Sequence, residues 1–130
     1  SSSKLQFGFR TGGGSGSAGG NNMGGALQGY LGDDSAITET AVNVGVVTIQ
    51  TPSYQNDDFA LQMWVFSPQA ASERSTISGR AVYREGSTSN VGFNDFGFMS
   101  ISTETHTGFT IKSNSAQLNG GGKIKVYGIK

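Results

Sequence analysis

Apolar residues in this chain recur at every second position, in one segment after another, and that spacing restricts it to strands. In residues 4–10, KLQFGFR, Leu5, Phe7 and Phe9 alternate with Lys4, Gln6 and Arg10, the period of a strand with one buried face. The same period runs through AVNVGVVTIQ, where Val42, Val44 and Val46 oppose Asn43 and Gly45. It returns in FALQMWVFSP, where Phe59, Leu61, Met63 and Val65 oppose Gln62, Trp64 and Phe66. β-Branched and aromatic side chains dominate both segments, as strands favour. Between them TPSYQNDD, Thr51 to Asp58, has the Pro, Asn and Asp of a turn, so the pair is expected to form a hairpin.

Further strands are predicted at Ser75–Glu85, Phe96–Thr103, Thr107–Ser113 and Gly122–Lys130. No segment has a sustained helical period with capping residues, and SPQAASERS has room for one helical turn at most. Seven short strands divided by Ser, Gly, Asn and Thr clusters predict an all-β fold, an antiparallel β-sandwich of jelly-roll-like type. An even count requires an eighth strand, from outside this chain or from a stretch read as loop. At 130 residues the chain is one domain with one core, by the usual relation of length to buried surface. It begins with Ser1 rather than Met, and the expectation is a processed chain or the C-terminal part of a longer one. There is no cysteine, so stability must come from packing rather than disulfides.

One stretch breaks the pattern. Ten of the 22 residues from Thr11 to Gly32 are glycine, which disfavours both helix and strand, so residues 11–34 are read as one long loop. Such a loop in a compact domain is usually functional. Gly12, Gly14, Gly16, Asn21 and Asn22, with Met23, Leu27 and Tyr30 pinning part of the loop down, are its expected assembly interface. Gly14–Gly19, GSGSAG, matches G-x-G-x-x-G, but the following GNNMGGALQG opens no helix, so no phosphate-cradling site is expected.

Chemistry is sparse. Lys plus Arg equals Asp plus Glu at nine each, so no overall field draws the chain to nucleic acid or an anionic membrane. No apolar run approaches the roughly 20 residues of a spanning helix, and no membrane partner is expected. His106, the only histidine, lies in ETHTG between predicted strands and is read as a surface turn residue, since a lone imidazole lacks catalytic partners. The pairs Asp33–Asp34 and Asp57–Asp58 lack the D-x-[DN]-x-[DN]-G loop of a dedicated calcium site and read as solvated turn carboxylates. Glu39, Glu73, Glu85 and Glu104 are scattered singly. No catalytic, cofactor or metal site is expected, and no enzymatic activity.

Trp64 and Phe66 lie opposite Leu61, Met63 and Val65, so this strand is expected to be central and covered on both faces, by the Gly-rich loop or a neighbouring subunit. The competing reading is a sugar-stacking surface built from Trp64, Tyr54, Tyr83, Asp57 and Asp58.

The order of these features resembles a family of small β-sandwich, jelly-roll-like domains in virion structural proteins of tailed bacteriophages. The resemblance begins with LQFGFRTGGGSGSAGGNN, continues through MWVFSP and ISGRAVYRE, and closes with GFTIKSNSAQLNGGGKIKVYGIK. The closing pattern, Gly108 to Lys130, is its most specific part. Two departures stand out: family members have a strand or more ahead of the position of Ser1, and the loop here is richer in glycine. The resemblance implies a capsid-decorating (cement or head-fibre) protein on the virion, or alternatively a tail-fibre module that binds a host glycan or receptor. Its implied partners are copies of itself, as a homotrimer, and the major capsid protein or tail and neck proteins. It carries no catalytic residues. In GGGKIKVYGIK, Ile124 and Val126 alternate with Lys123, Lys125 and Tyr127, so Lys123–Lys130 is expected to be an integral strand whose removal unfolds the domain.

Overall fold

The computed structural model describes residues 4–10, 23–51, 54–66, 72–85, 89–101, 103, 105–114 and 123–129. Among them are eight strands and no helix: β1 (Leu5–Arg10), β2 (Met23–Leu31), β3 (Ala36–Val44), β4 (Val47–Gln50), β5 (Tyr54–Phe66), β6 (Thr76–Glu85), β7 (Val91–Ser100) and β8 (Gly108–Ser113). They form two antiparallel sheets, a three-stranded one in the order β4-β1-β8 and a five-stranded one in the order β3-β2-β7-β6-β5. The sheets pack face to face as a β-sandwich. Nested pairing of β1 with β8 and of β2 with β7 gives it a jelly-roll-like wrap.

The alternating residues of β1 make the heart of the core: Leu5, Phe7 and Phe9 are all buried. Facing them across the sandwich are Met23 and Leu27 of β2, Ile77, Ala81 and Tyr83 of β6, and Phe96 and Phe98 of β7. Each large apolar side chain taken fully out of water contributes about 1.5–3 kcal/mol. The rings of Phe7 and Phe9 meet edge to face at 5.0 Å, the arrangement their quadrupoles prefer.

Four expectations are corrected. The Gly-rich stretch contains the eighth strand: β2 pairs with β3 on one side and β7 on the other, and Met23 and Leu27 enter the core. Glycine is tolerated there because the neighbouring strands come too close for side chains. A Cβ on Gly29 would lie 1.9 Å from the Phe93 carbonyl oxygen, and one on Gly25 would lie 2.1 Å from that of Gly97. Second, the run from Ala36 to Gln50 breaks at Gly45–Val46 into β3 and β4, which belong to different sheets. A register shift opposite Met23–Gly25 and a left-handed Asn43 (φ 57°) mark the bend, as at a β-bulge. The supposed hairpin therefore does not form; β5 begins at Tyr54, inside the supposed turn, and pairs with β6. Third, β5 is an edge strand, and its Trp64 and Phe66 are exposed. Fourth, residues 123–129 are no strand of either sheet; all seven are exposed.

The sheets are also joined by polar contacts. Asn94 Nδ2 on β7 donates to the Ile49 carbonyl of β4 at 2.8 Å, and the Thr51 N–H donates to Asn94 Oδ1 at 3.3 Å. The Tyr83 hydroxyl of β6 donates a short hydrogen bond to the Thr51 carbonyl. At the β3 edge, Glu39 accepts from Lys4 Nζ at 2.8 Å and from Thr48 Oγ1 at 2.7 Å.

Candidate interaction surfaces

The expected assembly interface is not brought together as one loop. Gly12, Gly14, Gly16, Asn21 and Asn22 lie outside the described residues, as does the GSGSAG motif. Met23 and Leu27 are core residues, for the register reason given above. Tyr30 alone is exposed, on the outer face of the five-stranded sheet, its ring 6.4 Å from that of Phe93.

The expected sugar surface also divides. Tyr83 is 2% exposed and points into the core, whereas Trp64 is 48% exposed on the opposite face. The cause is register: Phe59 pairs with Tyr83 and Trp64 with Ser78, so an odd separation along β5 places their rows on opposite faces. Burial and the nearby Glu85 charge push the Tyr83 phenol well above its ordinary range. The side chains of Tyr54, Asp57 and Asp58 lie outside the described ones.

His106 is not a surface residue. It is 2% exposed, stacks on Phe9 at 4.3 Å between ring centroids, and shares a 2.7 Å hydrogen bond through Nδ1 with Ser75 Oγ. Its place just ahead of β8, tied by Thr107 N–H to the Arg10 carbonyl at 2.9 Å, swings the ring over the end of the core. Asp33 and Asp34 form the β2–β3 turn. Asp33 Oδ1 accepts from the Ser35 N–H at 3.0 Å, and Oδ2 accepts from Asn90 Nδ2 at 3.1 Å. Hydrogen bonds from Ser35 hold its carboxyl below the usual range, and Asp34 takes the left-handed conformation (φ 68°) that Asp tolerates in turns. Among the described residues no three His, Cys, Asp or Glu side chains group as a metal site.

Sequence reasoning missed the outer face of the five-stranded sheet. Its cross-strand register places Thr40, Ala26, Gly97, Ser78 and Trp64 in one row over β3, β2, β7, β6 and β5. Beside it runs a polar row, Thr38, Gln28, Asp95, Arg80 and Gln62. Beyond its other flank lie Met99, Thr76 and Phe66. In the polar row Arg80 binds Asp95 with both ends of its guanidinium, at 2.6 and 2.9 Å, and lies over the Phe93 ring at 4.8 Å from its centroid. These hydrogen bonds hold the Asp95 carboxyl below its ordinary range. The signal was present: an antiparallel pair that sets Ser78 opposite Gly97 must set Arg80 opposite Asp95.

A second exposed surface is the segment Lys123–Ile129, whose Ile124, Val126, Tyr127 and Ile129 are 67–77% exposed. No helix among the described residues is long and apolar enough to cross a membrane. No family model, curated protein or solved structure matches the chain.

Proposed function

We propose that this chain is a virion structural protein of a tailed bacteriophage, a capsid-decorating subunit that works by non-covalent assembly rather than catalysis. The observation that supports this reading best is Lys123–Ile129, a segment with a strand's alternation and four large apolar side chains turned to solvent. An extended segment of this kind gains both hydrogen bonds and apolar burial by adding to the edge of a neighbouring sheet. The sandwich offers such edges at β4, β8, β3 and β5. Of these β5 is 13 residues long and carries the exposed Trp64 and Phe66, features that make an edge receptive.

The resemblance of the sequence to virion domains supplies the setting: copies of this chain, as a homotrimer, seated on the major capsid protein or on tail and neck proteins. The rigid sandwich then serves as the unit, with the projecting segment as the connector. Mass spectrometry of purified particles from a culture that produces this chain tests the setting. Its peptides are expected in stoichiometric amount in the particle fraction; peptides confined to the cell lysate would refute the virion assignment.

A further inference from the structure

Gly97 sits in the middle of a central strand, where glycine costs stability and gives nothing to packing. Its own fold does not demand it. A Cβ at Gly97 would meet no atom within 4 Å, in contrast to Gly25, Gly29 and Gly79, where the nearest backbone atom would lie at 2.2 Å or less. A strand glycine on an exposed face without internal crowding leaves the backbone open to close approach from outside. Around it the register builds a shallow trough. The small residues Ala26 and Ser78 flank Gly97 as a low floor, and Trp64 closes the β5 end of the row. One side is lined by Gln62, Arg80 and Asp95, and the other by Met99 and Phe66.

We infer that this trough binds an uncharged hexopyranose glycan, with a sugar ring seated over the Ala26–Gly97–Ser78 floor and one C–H face turned to the Trp64 indole. The chemistry of the lining selects that ligand. A pyranose has apolar C–H faces and a rim of hydroxyls, and the trough offers an indole and an apolar wall for the first and planar polar groups for the second. The Gln62 amide has a donor and an acceptor for adjacent hydroxyls, and beside it Arg80 Nη1 and the second lone pairs of the Asp95 oxygens lie outside the Arg80–Asp95 pair. Arg80 and Asp95 already neutralise one another through two hydrogen bonds, so the wall has fixed geometry and no net charge to attract an ionic ligand. The site shares Trp64 and Phe66 with the β5 edge, and it would serve a decorating subunit or a fibre equally.

Trp64 is the only tryptophan, so intrinsic fluorescence reads the site directly. Neutral oligosaccharides, namely cello-, malto-, manno- and N-acetylchito-hexaose, are titrated into the full chain. At least one is expected to shift the Trp64 emission saturably. Gly97→Leu, whose Cβ meets no atom of the fold, is expected to weaken that binding more than tenfold without lowering the unfolding midpoint. Gln62→Ala, on the rim, is expected to weaken it several-fold. Absence of a saturable shift with all four sugars would overturn the inference, as would undiminished binding in Gly97→Leu. If Gly97→Leu instead abolishes only self-association, the trough is a protein interface and the glycan assignment fails.

Discussion

Asn94 of β7 reaches across the sandwich to Ile49 of β4, its Nδ2 donating to the Ile49 carbonyl at 2.8 Å while its Oδ1 accepts from the Thr51 N–H at 3.3 Å. This fully buried amide therefore stands in for a ladder partner at the end of a short strand, and it sets how the two sheets align. Replacing it by Leu keeps the volume but leaves a buried carbonyl and a buried N–H without their partner, each costing about 1–3 kcal/mol. Asn94→Leu is expected to lower stability by roughly 3 kcal/mol, seen in urea as a reduced midpoint with an unchanged slope. An unchanged midpoint would show that the sheets are aligned by other contacts.

Stability should fall at both ends of the pH scale, for separate reasons. Burial, with help from Glu85, raises the Tyr83 phenol above its ordinary 10.0. The unfolded chain then loses that proton first, so the contribution is complete below about pH 10 and is lost as pH rises further. Asp33 and Asp95 are held low chiefly by hydrogen bonds from Ser35 and Arg80. At Glu39 burial acts upward, and hydrogen bonds from Lys4 and Thr48 outweigh it. These carboxylates contribute above their ordinary range near pH 4, and the contribution disappears as pH falls through their lowered values. Thermal midpoints should decline as pH falls below about 4 and as it rises above about 10. Tyr83→Phe should flatten the alkaline decline and leave the acid one; an alkaline decline of the same steepness in Tyr83→Phe would assign it to other groups.

Much of the fold was legible in the sequence, and the failures have a common physical origin. The alternation of Leu5, Phe7 and Phe9 was enough to place β1, because one face meets the core and the other does not. The bounds of β6 and β8 were also readable from alternation and turn residues. β2 was not, because its glycines answer to the backbone oxygens of Gly97 and Phe93 on a strand some 70 residues away. Local propensity cannot register such a requirement. The same limitation hid the burial of His106, which depends on Phe9 and Ser75, both distant in the chain. Trp64 was expected on a central, covered strand, but whether a strand lies at the centre or the edge of a sheet is a matter of pairing, which alternation does not specify.

Gly29 tests the corrected place of β2. A Cβ there would fall 1.9 Å from the Phe93 carbonyl oxygen and 2.6 Å from the Asn94 Cα, so Gly29→Ala must push β2 away from β7. Such a backbone clash is expected to cost more than about 2 kcal/mol. Gly97→Ala, on the facing strand with open space around it, should be neutral or gain up to about 1 kcal/mol. Chemical denaturation of the two variants side by side reads the contrast. Equal effects would mean that residues 23–31 do not pair with β7 as described.

The central claim is that the exposed segment at residues 123–129 joins copies of the chain rather than completing the sandwich. Sedimentation velocity and circular dichroism on the full chain and on a variant lacking residues 123–130 test it most directly. The expected result is a concentration-dependent oligomer for the full chain and a monomer for the shortened one, both with the same cooperative β-sheet unfolding transition. A shortened chain that unfolds, or one that assembles as well as the full chain, would contradict it.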